Sequence, residues 1–184
     1  MSLCGIDEAG RGPIAGSLVM AGVILKKNII GLMDSKVLSE KKREALFPLI
    51  QENSLYHIVS FSAQDVDTLG ISKCLNQGLQ SIMKNLESDD FLFDGNTSFG
   101  ISGIRTMVKA DAKIPEVSAA SILAKVTHDR EMVEFSKIYT EYGFERHKGY
   151  GTAAHIQAIK EHGYCPVHRR TYKVKALEGF AFNT

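Results

Sequence analysis

Four acidic residues stand where chemistry is possible. Asp7 and Glu8 close a short apolar run, residues 3–6. Asp94 ends the run DFLFD, and Asp111 follows another run, residues 104–109. In open α/β sheets ligand sites gather beyond the strand ends, so if these runs are neighbouring strands the carboxylates converge. Four converging carboxylates cannot all stay ionised unaided, because mutual repulsion raises some of their pKa values. A hard divalent cation removes that conflict, and an all-oxygen donor set suits Mg2+ or Mn2+. Two such ions, roughly 3.5–4 Å apart, can clamp a phosphodiester, one activating water and the other stabilising the leaving oxygen. The ordinary alternative is that acidic residues at strand ends are solvated or cap helices. Two details weigh against it. Asp94 ends an otherwise apolar strand, where a free carboxylate is costly. Asp7 and Glu8 are adjacent, and Gly10 and Gly12 let the chain turn so that both face one site.

The turn itself, Gly10-Arg11-Gly12, is a second candidate. Glycines allow close approach to the backbone, and a ribose 2′-hydroxyl, donor and acceptor at once, can be read by backbone amides. The motif is equally an ordinary turn with a solvated arginine. Ser118, Ser121, Lys125 and Asp129 recur at three- or four-residue steps and share one helix face. The small residues 118–121 suit close packing on a sheet, leaving Lys125 to reach a phosphate and Asp129 to support the metal ligands from behind. Asp34, Ser35 and Lys36 form a polar loop that reads, on its residues, as a solvated turn before the helix capped by Ser39. His147, Lys148, His168, Arg169 and Arg170 gather basic charge suited to phosphate contact, or else are solvated individually. The spacing of His147, His155, His162 and His168 does not fit a zinc site.

The elements that must position these residues follow from hydrophobic periodicity. Residues 3–6, Leu18–Leu25, 56–62, Asp90–Asp94 and 104–109 read as strands. Ser39 caps a helix through Ile50 whose apolar face is Ala45, Leu46, Leu49 and Ile50, with Pro48 expected to kink or divide it. Ile71, Leu75, Leu79, Ile82 and Leu86 mark an amphipathic helix. Residues 117–139 form a long helix ended by Gly143, and Thr152 caps a shorter one closed by Gly163. The expected fold is α/β with a helical C-terminal part from about residue 140, all within one domain of 184 residues.

Composition sets limits. At 44% hydrophobic and 23% charged the chain resembles ordinary soluble proteins. It has neither an apolar run long enough for a membrane span nor a signal-peptide pattern at its start, so a cytoplasmic location is expected. Cys4, Cys74 and Cys165 form no CxxC pair and read as small core residues. The net charge of +1 gives no bulk support for a nucleic-acid partner, although a local basic surface can coexist with an acidic pocket.

Six blocks together resemble the ribonuclease HII family: GIDEAGRGPIAG at 5–16, DSKVLSEKKRE at 34–44, FDGN at 93–96, KADAKIPEVSAASILAKVTHDRE at 109–131, HKGYGT at 147–152 and HRRTY at 168–172. They occur in the family's order and cover nearly the whole chain. The resemblance implies a ribonuclease H-like fold, a central mixed sheet flanked by helices. It implies that Asp7, Glu8, Asp94 and Asp111 are catalytic carboxylates binding Mg2+ or Mn2+, and that Gly10, Arg11 and Gly12 read the ribonucleotide. Tyr150 matches the tyrosine that packs on the neighbouring deoxyribose, and Ser35 and Lys36 match contacts to the nucleic-acid backbone. The substrates implied are RNA–DNA hybrids and DNA duplexes containing single ribonucleotides, cut 5′ of the ribonucleotide to leave 3′-hydroxyl and 5′-phosphate ends. Departures are small: bacterial members often carry KGD where Lys109-Ala110-Asp111 stands, and Arg in place of His128. The sister type HIII has an additional N-terminal domain, for which the early position of Asp7 leaves no place. No clamp-binding segment of the QxxLxxFF kind is seen, so no protein partner is expected and a monomer is. The rival readings are another ribonuclease H-like nuclease, which the turn and Tyr150 oppose, an inactive hybrid-binding module, which the full carboxylate set opposes, and a small-molecule α/β enzyme.

Overall fold

Leu18–Leu25, LVMAGVIL, is apolar on both alternating faces, as a strand covered from both sides must be. Val19, Ala21 and Val23 enter one hydrophobic cluster while Leu18, Met20 and Ile24 enter another. This strand, β2, lies inside a five-stranded sheet, in a computed structural model that describes residues 2–32 and 38–180. With β1 (Leu3–Ala9), β3 (Ser54–Phe61), β4 (Asp90–Asp94) and β5 (Ile104–Met107), the order is β3-β2-β1-β4-β5. β1 pairs antiparallel with β2 and parallel with β4, so the sheet is mixed, as expected.

Helices α1 (Glu40–Glu52) and α4 (Pro115–Ile138) cover the Val19 face, and α2 (Ala63–Leu69) and α3 (Ile71–Asn85) supply the cluster on the Leu18 face. α4 comes very close to the sheet. A side chain at Gly5 would stand 2.3 Å from the backbone of Glu116 and Val117. Ser118, Ala119 and Ala120 are fully buried, confirming the packing role of that small-residue stretch. A third cluster holds α5 (Phe144–His147), α6 (Ala153–His162) and the C-terminal segment, with Ile14, Ala15 and Met132.

Ser39 caps α1 and Thr152 caps α6, each accepting from the amide three residues on. Pro48 does not divide α1, which runs on to Glu52. The proline is exposed, so the carbonyl it leaves without a donor can be hydrated. The buried face of α1 is Leu46, Phe47 and Ile50; Ala45 and Leu49 are exposed. α2 was not expected, although Ser62 and Asp65 form a capping box at its start. β5 stops at Met107, short of residue 109, because Lys109 adopts a left-handed conformation that turns the chain into a 3-10 helix, Ala110–Ala112. The loop residues Asp34, Ser35 and Lys36 lie outside the described residues.

Candidate active site

The parallel pairing of β1 and β4 aligns Ile6 with Phe93, which sets Asp7 beside Asp94, one residue further along each strand. Phe93 packs on the α3 side of the sheet and Leu92 on the other, with Val117 of α4. Alternation then puts Asp94 on the α4 side. Asp7 shares that side, where Ser121 of α4 hydrogen-bonds its carboxylate. Asp111 arrives from the 3-10 helix after β5, not from a strand end as expected. Oxygens of Asp7, Asp94 and Asp111 all lie within 4.8 Å of one another.

Glu8 is not in that trio. Neighbouring strand residues point to opposite faces, so an adjacent Asp-Glu pair within β1 cannot present both side chains alike. The Glu8 carboxylate instead lies 3.4 Å from Arg11 Nη1. It still lines the same cleft, and among the described residues its Oε2 is buried without a hydrogen-bond partner.

Burial, then the nearby charges of Glu8 and Asp94, push the Asp7 carboxyl well above its usual range. Burial also raises Glu8, with Arg11 opposing. Carboxylates that repel one another, an oxygen-only donor set and an unsatisfied buried carboxylate oxygen are the properties a hard divalent cation corrects. These residues therefore fit such an ion.

The cleft encloses about 510 Å3 and is also lined by Gly10, Arg11, Gly12, Gly95, Arg43, Lys125 and Tyr150. Gly10 is required where it stands: its φ is +82°, and a side chain would meet Ser17 O at 2.2 Å. Tyr150 is half-exposed, with Lys125 Nζ 6.0 Å from its ring centre. Lys125 Nζ donates to Asp129 Oδ1 at 2.8 Å. Asp129 does not line the cleft and touches it through Lys125. Burial pushes the Asp129 carboxyl up, but hydrogen bonds from His128 and Lys125 outweigh this and hold it below the usual range. Arg43, on α1, was not singled out from the sequence. It sits inside the 34–44 block, and only the packing of α1 on α4 turns it toward the acidic centre.

The basic C-terminal group is not a phosphate surface as a whole. His168 and Arg169 are buried, and Lys148 reaches toward Glu40 at 3.7 Å; Arg170 alone of the last three is exposed. Cys165 N–H donates to His168 Nδ1 (2.9 Å), so His168 carries its proton on Nε2 and donates to His155 Nε2 (3.0 Å). His155 Nδ1–H donates in turn to Tyr150 O (2.9 Å). Burial lowers both rings to about 4.

A mixed sheet with this acidic trio at its centre defines a class, the ribonuclease H-like metal-dependent hydrolases. Comparison with known proteins narrows it. The family model described as Ribonuclease HII matches residues 4–175. The chain is 66% identical over 176 residues to the Ribonuclease HII of Sulfurovum sp. (strain NBC37-1), covering 96% of this chain and 94% of that one. It is 60% identical to that of Aliarcobacter butzleri (strain RM4018), covering 96% and 93%. Among solved structures, the ribonuclease H2 of Pyrococcus horikoshii OT3 superposes with a TM-score of 0.80 at 29% identity, covering 94% of each chain. The structure of the PCNA:RNase HII complex from Archaeoglobus fulgidus gives 0.83 at 26%, covering 95% and 96%. The chain belongs to the ribonuclease HII family. It is a metal-dependent ribonuclease, an endonuclease acting on the RNA of RNA–DNA hybrids. No described helix is long and apolar enough to cross a membrane.

Proposed function

We propose that Asp7, Glu8, Asp94 and Asp111 hold a pair of Mg2+ or Mn2+ ions, and that the enzyme cuts on the 5′ side of ribonucleotides, including single ones embedded in duplex DNA. The observation carrying this reading is the meeting of three carboxylates within 4.8 Å with the Gly10–Gly12 turn and Tyr150 in one cleft. When bound, the ions supply an activated water and charge for the leaving oxygen. The rest is done by the chain. Ser121 orients Asp7. Lys125, itself positioned by Asp129, offers a cation to the phosphate backbone. The turn's amides meet the 2′-hydroxyl, and the Tyr150 ring gives an apolar face for the adjoining sugar. The hydrolysis leaves a 3′-hydroxyl and a 5′-phosphate. The same reading takes the chain as one domain, working as a cytoplasmic monomer.

The test is cleavage of an end-labelled DNA duplex containing one ribonucleotide, with Mg2+, Mn2+ or chelator, beside an all-DNA control. A single cut 5′ of the ribonucleotide, lost with chelator and absent from the control, is expected. Cleavage of long hybrids alone would remove the sugar-reading role of the turn and of Tyr150.

A further inference from the structure

Arg169 is 1% exposed, and the cleft residues do not include it. Its guanidinium lies behind the Gly10–Arg11–Gly12 turn. Nη2 donates to Gly10 O (2.6 Å) and Gly16 O (2.8 Å), Nε to Gly16 O (3.0 Å), and Nη1 to Pro13 O (3.0 Å) and more loosely to Arg11 O (3.4 Å). Nη1 also donates to Tyr172 Oη (3.0 Å), and that hydroxyl donates to Arg11 O (2.9 Å). The Arg169 backbone N–H donates to Ile14 O (2.8 Å). Among the described residues no carboxylate forms an ion pair with it, so carbonyl dipoles surround the charge. A planar fork of five N–H groups can meet so many acceptors; an ammonium cannot.

These contacts have a directional consequence. In a trans peptide the C=O of one residue and the N–H of the next point opposite ways, and no described peptide here is cis. With Gly10 O and Arg11 O drawn to Arg169, the N–H groups of Arg11 and Gly12 face away from it. Both residues line the cleft, and among the described residues neither amide has a protein acceptor. Glycine-rich turns flip their peptides readily. Here a flip would aim an N–H at a buried cation in place of a carbonyl.

We propose that Arg169 is a positioning residue for sugar discrimination: it locks the Gly10–Arg11 and Arg11–Gly12 peptides with their amides toward the cleft, where a ribose 2′-hydroxyl is read. The proposal rests on the turn's role described above. Its test uses the enzyme with Mg2+, taking KM for a duplex with one ribonucleotide and Ki for the all-DNA duplex as a competitor. In Arg169→Lys the ratio Ki/KM falls about tenfold, the cost of misaimed hydrogen bonds, through KM, with Ki within about twofold. A folded Arg169→Lys enzyme in which KM and Ki rise together, or neither moves, overturns the proposal. If a thermal melt shows Arg169→Lys unfolded, Tyr172→Phe carries the test: the ratio is expected to fall about two- to threefold, and an unchanged ratio overturns the proposal. A ratio near one in the unmodified enzyme overturns the turn's role itself and is visible before any variant is made.

Discussion

At the centre of the sheet, Asp7, Asp94 and Asp111 crowd carboxylate oxygens within 4.8 Å. In the C-terminal cluster, His147, His155 and His168 crowd imidazoles as closely, with the first two stacked at 4.3 Å and His155 hydrogen-bonded to His168. Both groups are titratable and largely buried, yet they resolve burial differently. The histidines are neutral, and each hands its proton to a defined acceptor, ending on the carbonyls of Tyr142 and Tyr150. Among the carboxylates Asp7 accepts from the Glu8 amide and from Ser121, and Asp94 from the Ala110 amide, yet burial with mutual charge still drives Asp7 upward. A neutral polar cluster that satisfies itself holds a fold together; a crowded one of a single charge sign marks where a ligand of opposite sign belongs.

The strongest challenge to this contrast is Asp94→Asn. Removing one ligand of a site that supplies several kcal/mol of charge stabilisation is expected to cut cleavage about 10³-fold or more. The chelator-treated variant should melt no lower than the parent, because a repulsion has gone. Its melting temperature should also lose the rise that Mg2+ gives the parent. A variant that cleaves normally would break the assignment.

The histidine side is tested by pH. Both rings titrate near 4 when folded and 6.5 when exposed. Between those values the unfolded chain binds protons that the folded chain does not, so stability falls as pH drops through that window. The loss is on the order of 3 kcal/mol for one ring at about 1.4 kcal/mol per pH unit. Denaturant unfolding at pH 7 and pH 4.5 measures it, and His155→Phe should flatten the slope. Asp7 works in the opposite direction: its raised carboxyl favours the folded state as pH falls.

Smaller effects sharpen the boundary between the two regions. Asp129→Asn removes the charge holding Lys125 and is expected to lower cleavage about 10-fold to 100-fold, with the melting temperature nearly unchanged. Arg43→Ala should raise KM about two- to threefold and reduce the salt slope of hybrid binding by about one. A loss of kcat instead would place Arg43 nearer the reacting atoms than the cleft lining suggests.

Local features were legible wherever they depend on near neighbours in the chain. The Ser39 and Thr152 caps, the α3 stripe and the DFLFD strand follow from periodicity and capping chemistry alone. The α2 helix was missed although its Ser62–Asp65 box lies in the sequence, because seven residues between a strand and another helix leave little periodicity to read. Leu49 shows the same limit: its spacing suits the apolar face, but the rotation of α1 against α4 leaves it 45% exposed.

For the site, the tyrosine came from the family resemblance, while residue types and order were enough to single out four carboxylates and a glycine turn. Their chemistry needs only oxygen donors and an approachable backbone, which composition and spacing reveal. Which carboxylates meet was decided in three dimensions. Strand alternation turns Glu8 away from Asp7, the Ile6–Phe93 register brings in Asp94, and the left-handed turn at Lys109 swings Asp111 inward. Arg169 makes the point most sharply. In the sequence it is one of several basic residues near the end of the chain. In the fold it is a buried brace on a turn more than 150 residues earlier, at Gly10 and Gly16. Long-range packing assigns such a charge to solvent or interior, and no local pattern encodes that choice.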